Sequence, residues 1–345
     1  MSLFGPVHSV KRTIQTKHRI FLVGLLVVMA GVFVYIHRLR PTVTVPIVTQ
    51  VVLQAIVPSV KTLYPAPGVT VLSSSSHHVS STLPVLQGAL ISPDTFGAES
   101  IMVKDRATGL VLYRKNEYQK RPLASLTKLM SALVLLEAEP QWASSTAVVS
   151  DMLADSHLAS GDKHTLEELW QIGLIVSSNK AIMTLVDAVS ISREEFVARM
   201  NQKALELGMT DTTFVEPTGL DSGNVASASD IALLLDEAMK QERIRETVLK
   251  REYVVPATSG KKAQRLWNTD WLLLGWIPNT IYHIVGGKTG YIPEAGYNFS
   301  VQVSNKEGQV ITAVVLGAKT HEARFTEARD VIDWVFAHYV WPMKE

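Results

Sequence analysis

The chain has 345 residues, 47% of them hydrophobic, and a formal net charge of +1. That length allows one large domain or two ordinary ones, and the charge gives no electrostatic case for nucleic acid as a partner. There is no cysteine, which excludes disulfides and cysteine metal sites; no spacing of histidines and carboxylates suits a metal either, and no cofactor is expected.

Residues 1–19 carry Lys11, Arg12, Lys17 and Arg19 and precede an uncharged apolar run, Ile20 to Ile36. At about 1.5 Å per residue the run spans roughly 26 Å, near the thickness of a hydrocarbon core. No clear small-residue cleavage site follows it; Arg38 and Arg40 come next. The expectation is an uncleaved transmembrane anchor, with residues 1–19 in the cytoplasm and everything after residue 40 outside. From Pro41 to Ser92 the only Lys, Arg, Asp or Glu is Lys61, and the stretch is rich in Pro, Val, Ser and Thr. Residues 37–92 therefore read as an extracytoplasmic flexible linker. As a coil of about 50 residues it reaches on the order of 40 Å.

Residues 93–345 read as the globular part. Ser100–Lys104 and Leu110–Arg114 are short strands around the turn "DRATG". Leu126–Glu137 is a strongly apolar helix, and Thr165–Val189 is helical throughout. Ser192 with Glu195 three positions on is a capping box that opens an amphipathic helix. Ala228–Gln241 is another helix. Tyr297–Ser304, the turn "NKEG" and Val310–Ala318 form a hairpin. A final helix, Glu322–Tyr339, gathers Ala328, Val331, Ile332, Val335, Phe336 and Tyr339 on one face. The pattern describes a sheet flanked by helices, with a helical subdomain inserted.

Between these elements lies "GGKTGY", Gly286 to Tyr291. A phosphate-binding loop needs another glycine at 282, which is Tyr282, and must open a helix. Here "YIPEAGY" follows, a turn between strands, so the nucleotide reading fails. A serine acyltransferase needs Ser-x-x-Lys, then Ser-x-Asn, then Lys-Thr-Gly, in that order. "PLASLTKLM" supplies Ser125 and Lys128, "LIVSSNKA" supplies Ser177 and Asn179, and "GGKTG" supplies Lys288, Thr289 and Gly290. Ser259–Lys262 and Ser222–Asn224 also fit the short patterns, but neither has the context. Ser125 opens the most apolar helix, where a step of three keeps both side chains on one face.

With supporting stretches such as "TGLVLYRKN", "PTGLD", "GGKTGYIPEAGYN" and "VVLGAKTHEARF", the domain resembles the low-molecular-mass penicillin-binding proteins, the D-alanyl-D-alanine carboxypeptidases. The resemblance implies a mixed α/β, serine β-lactamase-like transpeptidase fold with an antiparallel sheet. In the chemistry such a site needs, Ser125 is the nucleophile, and Lys128 is its base if burial or a second cation such as Lys288 lowers its pKa. Ser177 relays a proton, and Asn179 holds a substrate amide. The resemblance further implies that Lys288 and Thr289 bind the terminal carboxylate of D-Ala-D-Ala, that Gly290 lets the substrate backbone lie close, and that the backbone N–H groups of Ser125 and Tyr291 form the oxyanion hole. Peptidoglycan stem peptides are the expected partners, with β-lactams as covalent inhibitors.

Three departures from the family pattern stand out. Lys180 follows Asn179 where relatives often place Asp. Asn224 and Ala226 replace a common His and Ser. Glu216 stands where the carboxypeptidases usually have Asn, close to where class A β-lactamases carry the Glu that activates deacylating water. A β-lactamase using Glu216, a D,D-endopeptidase and a non-catalytic wall-binding relative are the alternatives.

Overall fold

A computed structural model describes residues 83–150, 155, 157–256, 262–278 and 283–342. The expected cytoplasmic segment, the anchor Ile20–Ile36 and the linker as far as residue 82 lie outside the described residues. Among the described residues no helix is long and apolar enough to cross a membrane. The chain divides into a unit ending at Ser75 and a second from Ser76 to Glu345; all that follows concerns the second. Val85–Leu86, within the stretch expected as linker, pairs with Tyr339–Val340, so ordered structure begins before residue 93.

Five strands form the central sheet: β1 (Ser100–Asp105), β2 (Val111–Lys115), β3 (His283–Ile292), β4 (Gly296–Ser304) and β5 (Val310–Ala318). Their order is β3-β4-β5-β1-β2, with every pair antiparallel. The "DRATG" turn is closed by the Asp105 carboxylate, which accepts from the Thr108 N–H at 2.8 Å and its hydroxyl at 2.7 Å.

Both faces of the sheet are covered, which is why β5 reads as an almost unbroken apolar run. Ile101, Val103, Phe299, Val301, Ile311 and Val315 pack on the C-terminal helix. Met102, Val314 and Leu316 join the core of the helical region on the other face. That region contains α1 (Thr127–Glu137), α2 (Leu166–Ile175), α3 (Asn179–Ala188), α4 (Arg193–Glu206), α5 (Ala228–Ala238) and α6 (Glu242–Val248); the C-terminal helix is α7 (Ala323–His338). Of the expected α7 face, Ala328, Val331, Ile332 and Val335 are buried; Phe336 and Tyr339 are partly buried against the same core. Fully burying each large apolar side chain there contributes about 1.5–3 kcal/mol.

Two expectations differ from the structure, the capping box at Ser192 and the single helix over 165–189. Ser192 accepts from the Glu195 N–H, but the reciprocal capping box forms at Thr165 and Glu168, at the start of α2. On β4 the polar Gln302 is buried and donates to Asp236 at 2.6 Å, beside the Lys104–Asp236 ion pair. The helix expected over 165–189 is two helices, α2 and α3, broken at Ser177.

Candidate active site

Ser125 sits in a single 3-10 turn, Ala124–Leu126, that runs directly into α1. Ala124 has φ 50°, the left-handed region that a residue with a Cβ adopts only when its surroundings enforce it. Two glycines press on this turn. A Cβ on Gly219, itself at φ +89°, would fall 1.9 Å from the Ala124 carbonyl oxygen. A Cβ on Gly290 would fall 2.7 Å from the Leu123 oxygen and 3.1 Å from the Ser125 nitrogen. The Ser125 amide is therefore packed against β3, with Asn298 of β4 donating to the Pro122 and Leu123 carbonyls at 3.0 and 3.1 Å.

Lys128, one step of three along, is fully buried in α1. Its Nζ stands 2.7 Å from Ser125 Oγ, 2.6 Å from Asn179 Oδ1 and 2.6 Å from the Thr218 carbonyl. Burial disfavours the charged form and lowers its pKa to about 7; the charges of Glu216 and Asp155 oppose that fall. Of the two causes the sequence left open, burial or a second cation, burial is the leading one. An amine in this state takes a proton from a hydroxyl near neutral pH.

The break between α2 and α3 brings the second motif to the same place. Ser177 has φ 63°, which turns the chain sharply and starts a new helix at Asn179. Ser177 Oγ accepts from Lys288 Nζ at 2.8 Å, while Asn179 reaches Lys128. Ser178 caps α3 through the Ala181 N–H and donates to Asp155, which also accepts from the Lys180 N–H at 3.0 Å. The Lys180 side chain turns away, to Ser160 Oγ at 3.3 Å. A carboxylate thus reaches this turn from Asp155, although the position after Asn179 lacks one.

Lys288 and Thr289 lie on β3, an edge strand of the five-stranded sheet. Lys288 is 2% exposed, and burial, then the Lys128 and Arg324 charges, hold its pKa well below the ordinary value. Thr289 Oγ1 lies 2.6 Å from Thr269 Oγ1. Behind them sits buried Asp270, whose carboxyl is pushed up to about 6 by desolvation, against the pull of the Leu273 and Leu272 N–H groups, Arg324 and Lys288. Arg324, 3% exposed at the start of α7, donates to the Gly290 carbonyl at 3.2 Å. Tyr291 is exposed and stacks on Tyr297 with ring centroids 4.3 Å apart. Ser125, Ser177 and Asn179 are half-buried and reach the surface.

The structure thus joins Ser125, Lys128 and Asn179 directly, links Ser177 to Lys288, and packs Gly290 on the Ser125 turn, while Thr289, next to Lys288 on β3, bonds Thr269. Asp270 and Thr269 lie outside every stretch the sequence singles out; Thr218 and Arg324 fall within the quoted "PTGLD" and "VVLGAKTHEARF", but nothing local assigns either of them a role.

Residues 88–320 match the family model described as D-alanyl-D-alanine carboxypeptidase. The chain is 34% identical over 255 residues to the Bacillus subtilis D-alanyl-D-alanine carboxypeptidase DacF, covering 70% of this chain and 63% of that protein. The chain belongs to this family. A D-alanyl-D-alanine endopeptidase of Pseudomonas aeruginosa is 30% identical over 243 residues, covering 68% of this chain and 76% of that one. The fold matches penicillin-binding protein D2 of Listeria monocytogenes, solved in a cefotaxime-bound form, with a TM-score of 0.61 and 30% identity over 72% of this chain and 100% of that one.

Within the family, two of the departures noted in the sequence touch each other. Asn224 Nδ2 donates to Glu216 Oε1 at 2.7 Å, and Asn224 Oδ1 accepts from the Val215 and Glu216 N–H groups at 2.7 and 3.2 Å. The Asn224 carbonyl accepts from Leu123 N–H at 2.9 Å, tying the pair to the turn that carries Ser125.

Proposed function

We propose that this chain is a serine-type D-Ala-D-Ala carboxypeptidase that trims peptidoglycan stem peptides through an acyl-enzyme on Ser125. The observation that carries the reading is the buried Lys128 amine, 2.7 Å from Ser125 Oγ and depressed to about 7. Ser125 Oγ attacks the carbonyl carbon of the penultimate D-Ala while its proton passes to Lys128. The C–N bond to the terminal D-Ala breaks, and Ser177 relays a proton to the leaving amine. Water then attacks the ester and returns Ser125 to its free form. Asn179 holds a substrate amide, and Lys288 and Thr289 take the terminal carboxylate, with Arg324 adding positive charge behind Gly290. The edge of β3 receives the extended peptide, and the Ser125 and Tyr291 N–H groups hold the oxyanion.

β-Lactams acylate the same serine in this reading, which the cefotaxime-bound Listeria relative supports. The run Ile20–Ile36 anchors the chain in the cell membrane, with the catalytic domain outside the cytoplasm. The P. aeruginosa relative favours a second reading, cleavage of cross-links as a D,D-endopeptidase. Glu216 speaks against a β-lactamase, since its carboxylate is taken up by its own loop. The test is incubation with a pentapeptide stem and with a cross-linked dimer, followed by mass analysis. Free D-alanine from the pentapeptide is expected; dimer cleavage alone would transfer the assignment to the endopeptidase.

A further inference from the structure

An ionised carboxylate offers about four lone-pair sites. Glu216 Oε2 accepts from the Thr218 N–H and from Thr218 Oγ1, both at 2.6 Å. Its Oε1 accepts from the Gly219 N–H and from Asn224 Nδ2. The Asp221 N–H lies further off, at 3.5 Å. The four sites are filled by the chain itself, which leaves none to activate water.

What the closed loop presents instead is a pair of carbonyls aimed at one turn of α1. Pro217 O accepts from Ser131 Oγ at 2.5 Å, and Thr218 O accepts from Lys128 Nζ at 2.6 Å. A neutral lysine amine has two N–H bonds and one lone pair. Two acceptors, Thr218 O and Asn179 Oδ1, hold the N–H bonds, and the lone pair is left facing Ser125 Oγ.

We propose that Glu216 is a positioning residue for the Ser125–Lys128 pair: it fixes the Thr218 carbonyl that orients the amine, and so governs acylation without taking part in release of the acyl group. The inference rests on Ser125 being the nucleophile. The Glu216–Asn224 pair is then one device, since Asn224 both donates to the carboxylate and bonds the Leu123 N–H beside the nucleophile turn. The charged groups facing Lys128 are Glu216 from this loop, Asp155 from the segment before α2 and Lys288 from β3. Glu216 and Asp155 both favour the protonated amine, so removing the Glu216 charge moves Lys128 titration to lower pH.

The test compares wild type, Glu216→Gln and the double variant Glu216→Gln/Asn224→Asp, with a fluorescent penicillin as probe. Acylation is timed across pH, release is timed after free drug is removed, and Lys128 is titrated by carbon-13 NMR of its ε-carbon, assigned with Lys128→Arg. Glu216→Gln is expected to slow acylation roughly tenfold or more, a fraction of what a general base supplies. Its acid limb and the Lys128 titration shift to lower pH, while release per acyl-enzyme stays unchanged. The double variant returns a carboxylate opposite an amide and recovers acylation in part; it carries the test if the single variant does not fold. Acylation at the wild-type rate with an unmoved limb, or release slowed more than acylation, overturns the proposal. A wild type that forms no adduct overturns the nucleophile reading itself, and an unmoved Lys128 titration in the variant then overturns this one separately.

Discussion

Lys128 Nζ lies 2.6 Å from the main-chain carbonyl of Thr218, 90 positions further along the chain. That carbonyl and Asn179 Oδ1 together dictate where the amine can point, and the remaining direction is Ser125 Oγ. A hydroxyl is a poor nucleophile at neutral pH, so the proposed reaction depends on this arrangement.

Ser125→Ala is expected to abolish release of D-alanine and labelling by penicillin alike, while leaving the fold intact, because Ser125 makes no helix-capping bond. Mass analysis after incubation with pentapeptide checks it. Retained turnover would contradict the assignment of the nucleophile.

The rate of Ser125 acylation should rise with pH through about 7, as Lys128 loses its proton, and then level off. Lys128→Arg keeps the charge but holds its proton, so acylation should fall about 10²- to 10⁴-fold at every accessible pH. Stability moves in the same direction as activity. The folded pKa of Lys128 is depressed below its unfolded value of 10.5, so between about 7 and 10.5 the unfolded chain binds more protons at this site. This site's contribution to folding stability therefore increases as pH rises through that window. Rates of penicillin labelling, and denaturant unfolding across pH, measure the two effects.

Ser177→Gly should separate stability from activity. Glycine adopts φ 63° without the strain a side chain carries, worth about 1 kcal/mol. The same change removes the hydroxyl that Lys288 Nζ contacts at 2.8 Å. A variant that unfolds at equal or higher denaturant yet acylates far more slowly is the expected result. Unchanged acylation would remove Ser177 from the proton path.

Gly219→Ala drives a methyl group to within 1.9 Å of the Ala124 carbonyl, at a φ of +89°. Strain and overpacking together should cost about 2–4 kcal/mol. Because the clash falls on the residue before Ser125, acylation should drop as well, and unfolding and labelling assays read both.

The three motifs were legible in the sequence because each is short and local: a step of three on a helix joins Ser125 to Lys128, and adjacent residues on one strand carry Lys288 and Thr289. Most elements were legible too, since apolar periodicity records which face is buried. The helix break at Ser177 was not, because "LIVSSNKA" has neither proline nor glycine to announce it, and the left-handed turn is enforced by its partners. Glu216 and Asn224 could be read only as two separate departures from a pattern; their contact exists only once the loop closes.

The sequence alone determined the cast: two serines, two lysines, an asparagine and a threonine, ordered along the chain as the family's three motifs have them. Only the tertiary structure decided how they act. Burying Lys128 without loss of its partners lowers its pKa, and the acceptors that hold it come from a distant carbonyl and a distant amide. Desolvation and lone-pair direction are properties of packed neighbours, and no local stretch of residues encodes them.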